Sequence, residues 1–171
     1  MKMDQDRLRN AHNKYVSAHA LFRLLAGATT LAAALVMGLN KETKSIAGYQ
    51  MVASYKTSPA FEFFLVGNAI TCGYTIASLP FVSKLVEGYL LDLLDLVSLV
   101  LLMASASAAT AIGYLGKEGN DQIGWMKVCP YYEKFCNGVA ISLVFSYVGL
   151  LFLLLICVLS SVYKTRQSNK S

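Results

Sequence analysis

Two ionisable side chains in this sequence stand where water is scarce. Arg23 and Asp95 each fall inside an apolar stretch long enough to cross a bilayer. A charge at that depth is costly, so it is rare, faces other protein and usually has a partner. A guanidinium and a carboxylate can meet in a short bidentate contact that fixes rotation as well as proximity. Two other readings use the same residues. Arg23 could snorkel to the lipid headgroups, with Asp95 doing likewise or protonated. Alternatively, both could belong to a proton or ion relay. Arg23 can reach the interface, but the short Asp95 side chain cannot easily do so. Relays usually draw on several buried acids or histidines, whereas here Asp92 lies at the interface and His12 and His19 precede or border the first stretch. The ion pair is therefore the expectation.

Positioning the pair is the task of four apolar stretches, at about 18–39, 59–83, 89–115 and 138–162. Each meets the roughly 20 residues needed to cross a hydrocarbon core of about 30 Å. The expected fold is an all-α membrane protein, a four-transmembrane-helix bundle. It has an N-terminal arm over 1–17, a membrane domain over 18–162 and a tail over 163–171. With 171 residues, 56% of them hydrophobic and 15% charged, the chain is more apolar and less charged than ordinary soluble domains. That leaves no room for a soluble catalytic domain. The first stretch exceeds a signal-peptide core and is expected to stay in the protein.

The net charge of +5 is placed for a membrane rather than for nucleic acid. Lys2, Arg7, Arg9, Lys14, Lys84, Lys164, Arg166 and Lys170 fall on one side of an even-span protein with Asp4, Asp6 and Glu87, a net of +5. The two longer loops carry six basic and five acidic residues, a net of +1. Lys/Arg bias predicts both termini in the cytoplasm, where basic segments also favour an anionic leaflet. By this topology the first and third stretches are parallel. Arg23 and Asp95 then lie at matched depth, roughly 8–9 Å below the inner boundary at 1.5 Å per residue.

Residues 1–16 are polar, loose or helical at the membrane surface. The first outer loop, 41–58, leaves a short strand or a helix open. Pro59 suits a helix start, and Phe61, Phe63 and Phe64 fit an interfacial aromatic belt. Pro80 should kink or end the second span. The short connector 83–88 makes the second and third spans an antiparallel hairpin. Small residues four apart, Ala104/Ala108 and Ala109/Gly113, allow close helix approach and match the run Ala26–Thr30 with Ala32–Ala34 in the first span. These small-faced helices are expected to be neighbours, with the bulky fourth span facing lipid or a second protomer. Whether the seam lies within one chain or between two is left open.

Cys129 and Cys136 flank six residues of the second outer loop. On an oxidising side they are expected to form a disulfide. Free thiols or a metal are the alternatives, and the outer loops have no His to complete a metal site. Cys72 and Cys157 read as packing residues. The sequon Asn169-Lys170-Ser171 falls on the cytosolic side of this topology. The sequence carries no His-Glu-x-x-His, Gly-x-Ser-x-Gly or Walker pattern, so no enzyme activity and no cofactor are expected. A channel or transporter subunit is the alternative function. Against it stand only two buried charges and no Gly/Pro-broken half-helices.

In order, Phe22-Arg23-Leu24, Met37–Thr43, Phe61–Asn68, Gly73-Tyr74, Ser78-Leu79-Pro80, Asp95, Ser107–Leu115, Gly119-Asn120, Trp125, Cys129 and Phe135-Cys136 resemble the Casparian strip membrane domain protein family, specifically its CASP-like members. The resemblance runs through all four spans. It implies a multi-pass plasma-membrane protein with cytoplasmic termini, a charged pair at Arg23 and Asp95, and association into homodimers and heterodimers with related four-span proteins. Its founding members are membrane scaffolds that fence lipid and protein diffusion and recruit wall-modifying enzymes. That suggests membrane lipid and extracellular wall-modifying enzymes as partners, with Trp125 and Phe135 on the outer-loop partner surface and no nucleic acid. The strip-forming members carry a more aromatic signature in the first outer loop, which reads Glu42–Tyr49 here. The resemblance is therefore CASP-like rather than strip-forming.

Overall fold

The computed structural model describes residues 2–46, 49–81 and 89–168. The connector at 83–88 with Lys84, and the sequon at 169–171, lie outside the described residues, as does the side chain of His12. Helix α1 spans Lys2–Leu39 and is followed by strands β1, Lys41–Ile46, and β2, Tyr49–Ser54. Then come α2, Pro59–Ser78, α3, Tyr89–Glu118, and α4, Glu133–Ser168. All four helices are long and apolar enough to cross a membrane.

Local chemistry sets the helix ends. Ser58 caps α2, its Oγ accepting from the Ala60 N–H at 3.3 Å, and Pro59 occupies the first helical position, where its missing N–H costs nothing. At the other end Pro80 cannot continue the α-helical ladder, and the chain tightens into a 3₁₀ turn at Leu79–Phe81. The polar N-terminal arm is helical and continuous with the first span. At 1.5 Å per residue, the 20 residues of α2 reach about 30 Å, the thickness of the hydrocarbon core. The 38 residues of α1 and 36 of α4 reach well beyond it. Near the terminal end Tyr15 stacks on Tyr163, centroids 4.1 Å apart and planes at 15°, so these two helices stay packed there.

The first outer loop, undecided in the sequence, is an antiparallel hairpin with Lys41 opposite Ser54 and Thr43 opposite Val52. Among the helices each packs on its chain neighbours, and α4 closes the ring against α1. That corrects two expectations. First, α1 and α3 face each other across the diagonal, because an up-and-down ring places the first helix opposite the third. Second, α4 does not stand apart facing lipid: it packs most extensively against α1 and buries Ser142, Ser146, Leu153, Ile156 and Ser160.

Small residues make these contacts, at positions partly different from those expected. Ala104 faces outward and Ala108 is half-buried, whereas Ala109 is buried and Gly113 half-buried. The buried row of α3 is Ser98, Leu102, Ser105, Ala106 and Ala109, the i, i+4, i+7 stripe of a helix facing its bundle. The 104/108 pair is rotated off that stripe. A Cβ at Gly67 would stand 2.6 Å from Ser105 Oγ, so α2 meets α3 there through a missing side chain. Gly149 similarly lets α4 approach Thr30 of α1, 2.9 Å from such a Cβ. The aromatic belt is also revised. Phe61 and Phe64, three apart and so on one face, are buried in the core with Met37, Tyr132, Phe135 and Val139, and only Phe63 looks outward.

Candidate functional site

The polar centre of the bundle is assembled on Arg23, whose side chain is fully buried. Each guanidinium nitrogen goes to a different place. Nη2 reaches across the diagonal to Asp95 on α3, donating to Oδ1 at 2.7 Å and Oδ2 at 2.5 Å. Nη1 donates to Ser78 Oγ at the end of α2. Nε donates to His19 Nδ1 at 3.3 Å, one turn back on α1. The length of the arginine stem lets helices that are not neighbours be joined, and its planar fork presents donors in fixed directions. In the short contact with Asp95 one nitrogen serves both oxygens, because the other two nitrogens are engaged elsewhere.

Asp95 is satisfied from a third direction. Tyr74 of α2 donates its hydroxyl to Asp95 Oδ1 at 2.7 Å, with the Leu91 carbonyl 3.3 Å from the same hydroxyl. The Tyr74 ring lies 5.6 Å from the guanidinium carbon, within cation–π range. A buried ion pair is tolerable only when its other polar atoms are also partnered, and here every guanidinium nitrogen and both carboxylate oxygens have a hydrogen bond. Arg23 and Asp95 are thus brought together, while His19, Tyr74 and Ser78 are partners that sequence reasoning did not assign. Tyr74 and Ser78 sit four apart on α2, hence on one face, which was a usable signal once a buried charge at that depth was suspected.

One turn toward the terminal end, α3 makes a second polar tie. Asp92 pairs with Lys164 of α4 and accepts from Ser160 Oγ at 2.5 Å. Two carboxylates three residues apart therefore connect α3 to every other helix, Asp95 to α1 and α2 and Asp92 to α4. A group of three or more His, Cys, Asp or Glu able to hold a metal is absent among the described residues.

The end of the bundle away from the chain termini is locked by different means. Cys129 and Cys136 are bonded, with Cα atoms 5.7 Å apart. Glu42 of β1 is buried and accepts from the Phe135 N–H at 3.0 Å in the first turn of α4, where helix N–H groups lack partners and a negative charge is favoured. That hydrogen bond, aided by Lys44, holds the Glu42 carboxyl below the usual range. Asn40 Nδ2 donates to the Phe135 carbonyl at 2.7 Å. The hairpin is thus docked on α4. Phe135, expected on a partner surface, is buried edge-on against Phe61, centroids 5.9 Å apart. Its neighbour Cys136 and the Glu42 contact turn it into the core. Trp125 is half-exposed, its N–H and carbonyl paired with Asn120 at 2.9 Å each.

Comparison with known proteins finds a family of membrane proteins. The Casparian strip membrane protein domain matches residues 12–166. The CASP-like protein 1F1 of Vitis vinifera is 37% identical over 167 residues, 94% of this chain and 81% of that protein. The CASP-like protein 1F1 of Ricinus communis is 38% identical over 160 residues, 90% of this chain and 89% of its own. Casparian strip membrane protein 2 of Triphysaria pusilla is 40% identical over 151 residues, 83% of this chain and 73% of its own. No solved structure matches.

Proposed function

The chain belongs to the family defined by the Casparian strip membrane protein domain, and on that premise we propose that it is a non-enzymatic plasma-membrane scaffold that self-associates and organises a membrane domain. One observation carries this reading most. The buried charges Arg23 and Asp95 are consumed in joining three helices of one protomer, which makes a stiff unit with apolar side chains outward rather than a chain of titrating groups. Leu35, Val66, Val100, Met103 and Val144 are among the exposed side chains along the helices. They give lipid and neighbouring four-span proteins, in homodimers or heterodimers, a surface to meet.

The basic arm and tail orient both termini to the cytoplasm. The disulfide-closed loop with Trp125, and the hairpin docked beside it, then face outward, where wall-modifying enzymes are the partners envisaged. The first outer loop lacks the aromatic signature of strip-forming relatives, so we assign this chain a CASP-like role outside the strip. The test is co-purification of two differently tagged copies from native plasma membrane in mild detergent, alongside ion flux in liposomes holding the purified protein. Co-purification without flux is the expected result. Flux from a protein that never recovers its second tag would favour a channel subunit and reject the scaffold.

A further inference from the structure

Beside the Asp92–Lys164 pair, at the terminal end of the bundle, lies a cavity of about 470 Å³ between α3 and α4. That size falls in the range of ordinary small-molecule sites, ~300–1,000 Å³, and far exceeds the ~30 Å³ share of one water. Its wall is chemically mixed: the carboxylates of Asp92 and Asp95, the ammonium of Lys164, and the hydroxyls of Ser160, Ser161 and Thr165. We propose that this cavity binds the headgroup of a primary-ammonium zwitterionic phospholipid, of the phosphatidylethanolamine class, drawn from the leaflet at the terminal end.

The wall specifies that chemistry. Asp92 takes one hydrogen bond on each oxygen, from Ser160 and from Lys164. A carboxylate has about four lone-pair sites, so each oxygen keeps acceptor capacity, and the Asp92 side chain is 32% exposed. A ligand that fills this capacity brings hydrogen-bond donors to Asp92, and a cationic N–H donor does so most strongly. Lys164, with its side chain 34% exposed and ammonium N–H groups to spare beyond the one given to Asp92, and the Ser161 hydroxyl ask for an anion a short distance away. A primary ammonium joined to a phosphodiester supplies both charges. A choline headgroup has no N–H to give, and a glycerol headgroup brings no cation.

Access and tail placement point to a membrane lipid rather than a soluble molecule. The cavity lies between two membrane-crossing helices near their ends. Leu96, which lines it, is 51% exposed. One turn further into the membrane, at the i+4 position from Leu96 and the i−3 position from Cys157, Val100 and Leu154 are also outward. Acyl chains leaving the cavity toward the membrane centre find an apolar track on both helices.

The experiment uses the purified full chain, delipidated in detergent. Dioleoyl phosphatidylethanolamine, phosphatidylcholine and phosphatidylglycerol are added in turn, with melting temperature and native mass spectrometry as readouts. The ethanolamine lipid should raise the melting temperature and be retained about tenfold or more over the other two, the scale of one hydrogen bond to a charged group. Asp92→Asn should drop retention to the choline-lipid level. Thr165→Trp, at an exposed position that leaves the Asp92 pair intact, should block retention while preserving the fold. Equal retention of all three lipids, a preference that survives Thr165→Trp, or equal stabilisation by free O-phosphorylethanolamine would overturn the proposal. The measurement needs no self-association, so its failure leaves the scaffold reading to its own test.

Discussion

Replacing Asp95 with Leu should be among the most damaging single changes available to this chain, and replacing Arg23 with Met at the same time should repair much of it. Alone, Asp95→Leu leaves a guanidinium with no solvent exposure and only Ser78 and His19 as hydrogen-bond partners. Removing one partner of such a pair costs about 3–5 kcal/mol. Arg23→Met alone leaves the carboxylate with Tyr74 as its one remaining donor, at a similar cost. In the double variant no charge is orphaned. Tyr74 keeps the Leu91 carbonyl within reach and Ser78 already donates to the Thr75 carbonyl at 3.0 Å. Apolar replacement of a whole buried pair is often close to neutral, so the double loss should fall far below the sum of the singles, with a coupling of about 3 kcal/mol or more. Thermal melts in detergent of all four proteins close the cycle. Additivity within about 0.5 kcal/mol, the behaviour of independent sites, would refute the reasoning.

Gly67→Ala puts a methyl 2.6 Å from Ser105 Oγ. The overpacking cost of about 1–3 kcal/mol should exceed the ~1 kcal/mol gained in helix propensity, and Ser105→Gly should restore the melting temperature; no rescue would place the strain elsewhere. Reducing the Cys129–Cys136 bond, which spans a sequence separation of 7, should lower stability by about 2–3 kcal/mol in the chain-entropy account. An unchanged melt with both thiols shown to be free would contradict this. The Glu42 carboxyl is held below its ordinary value of 4.5. Its contribution to hairpin docking is therefore full above that value and lost as pH falls through the lowered one. Amide exchange in β1 and β2 should speed up at strongly acidic pH and lose that dependence in Glu42→Gln; protection that stays constant in the natural protein would sink this account.

Four helices were legible because each needs about 20 apolar residues and little else in the chain has that character. The partnership of Arg23 and Asp95 was legible for a related reason, since two opposite charges at one membrane depth have few other ways to be satisfied. Their route to each other was not. Depth along a helix follows from residue number, but the order of helices around the ring depends on which small residues interlock. The Ala-rich runs of α1 and α3 suggest contact with each other, yet Gly67 with Ser105 and Gly149 with Thr30 set the actual neighbours. Ala104 was misplaced for the same reason, because a rotation of one residue moves a side chain 100° around its helix. Phe135 looked available because it follows a polar loop. The hairpin's Glu42, which takes the Phe135 N–H, helps turn that residue inward, and a contact across 93 positions leaves no local trace. Tyr74 and Ser78 went unassigned since a membrane hydroxyl has many possible partners until the arginine's direction is known.

The scaffold reading is tested most directly by following single fluorescently labelled molecules of the full chain in a living plasma membrane. The account predicts slow or confined molecules gathered in patches, with brightness steps showing more than one copy per spot. Single copies diffusing freely across the whole membrane would contradict it.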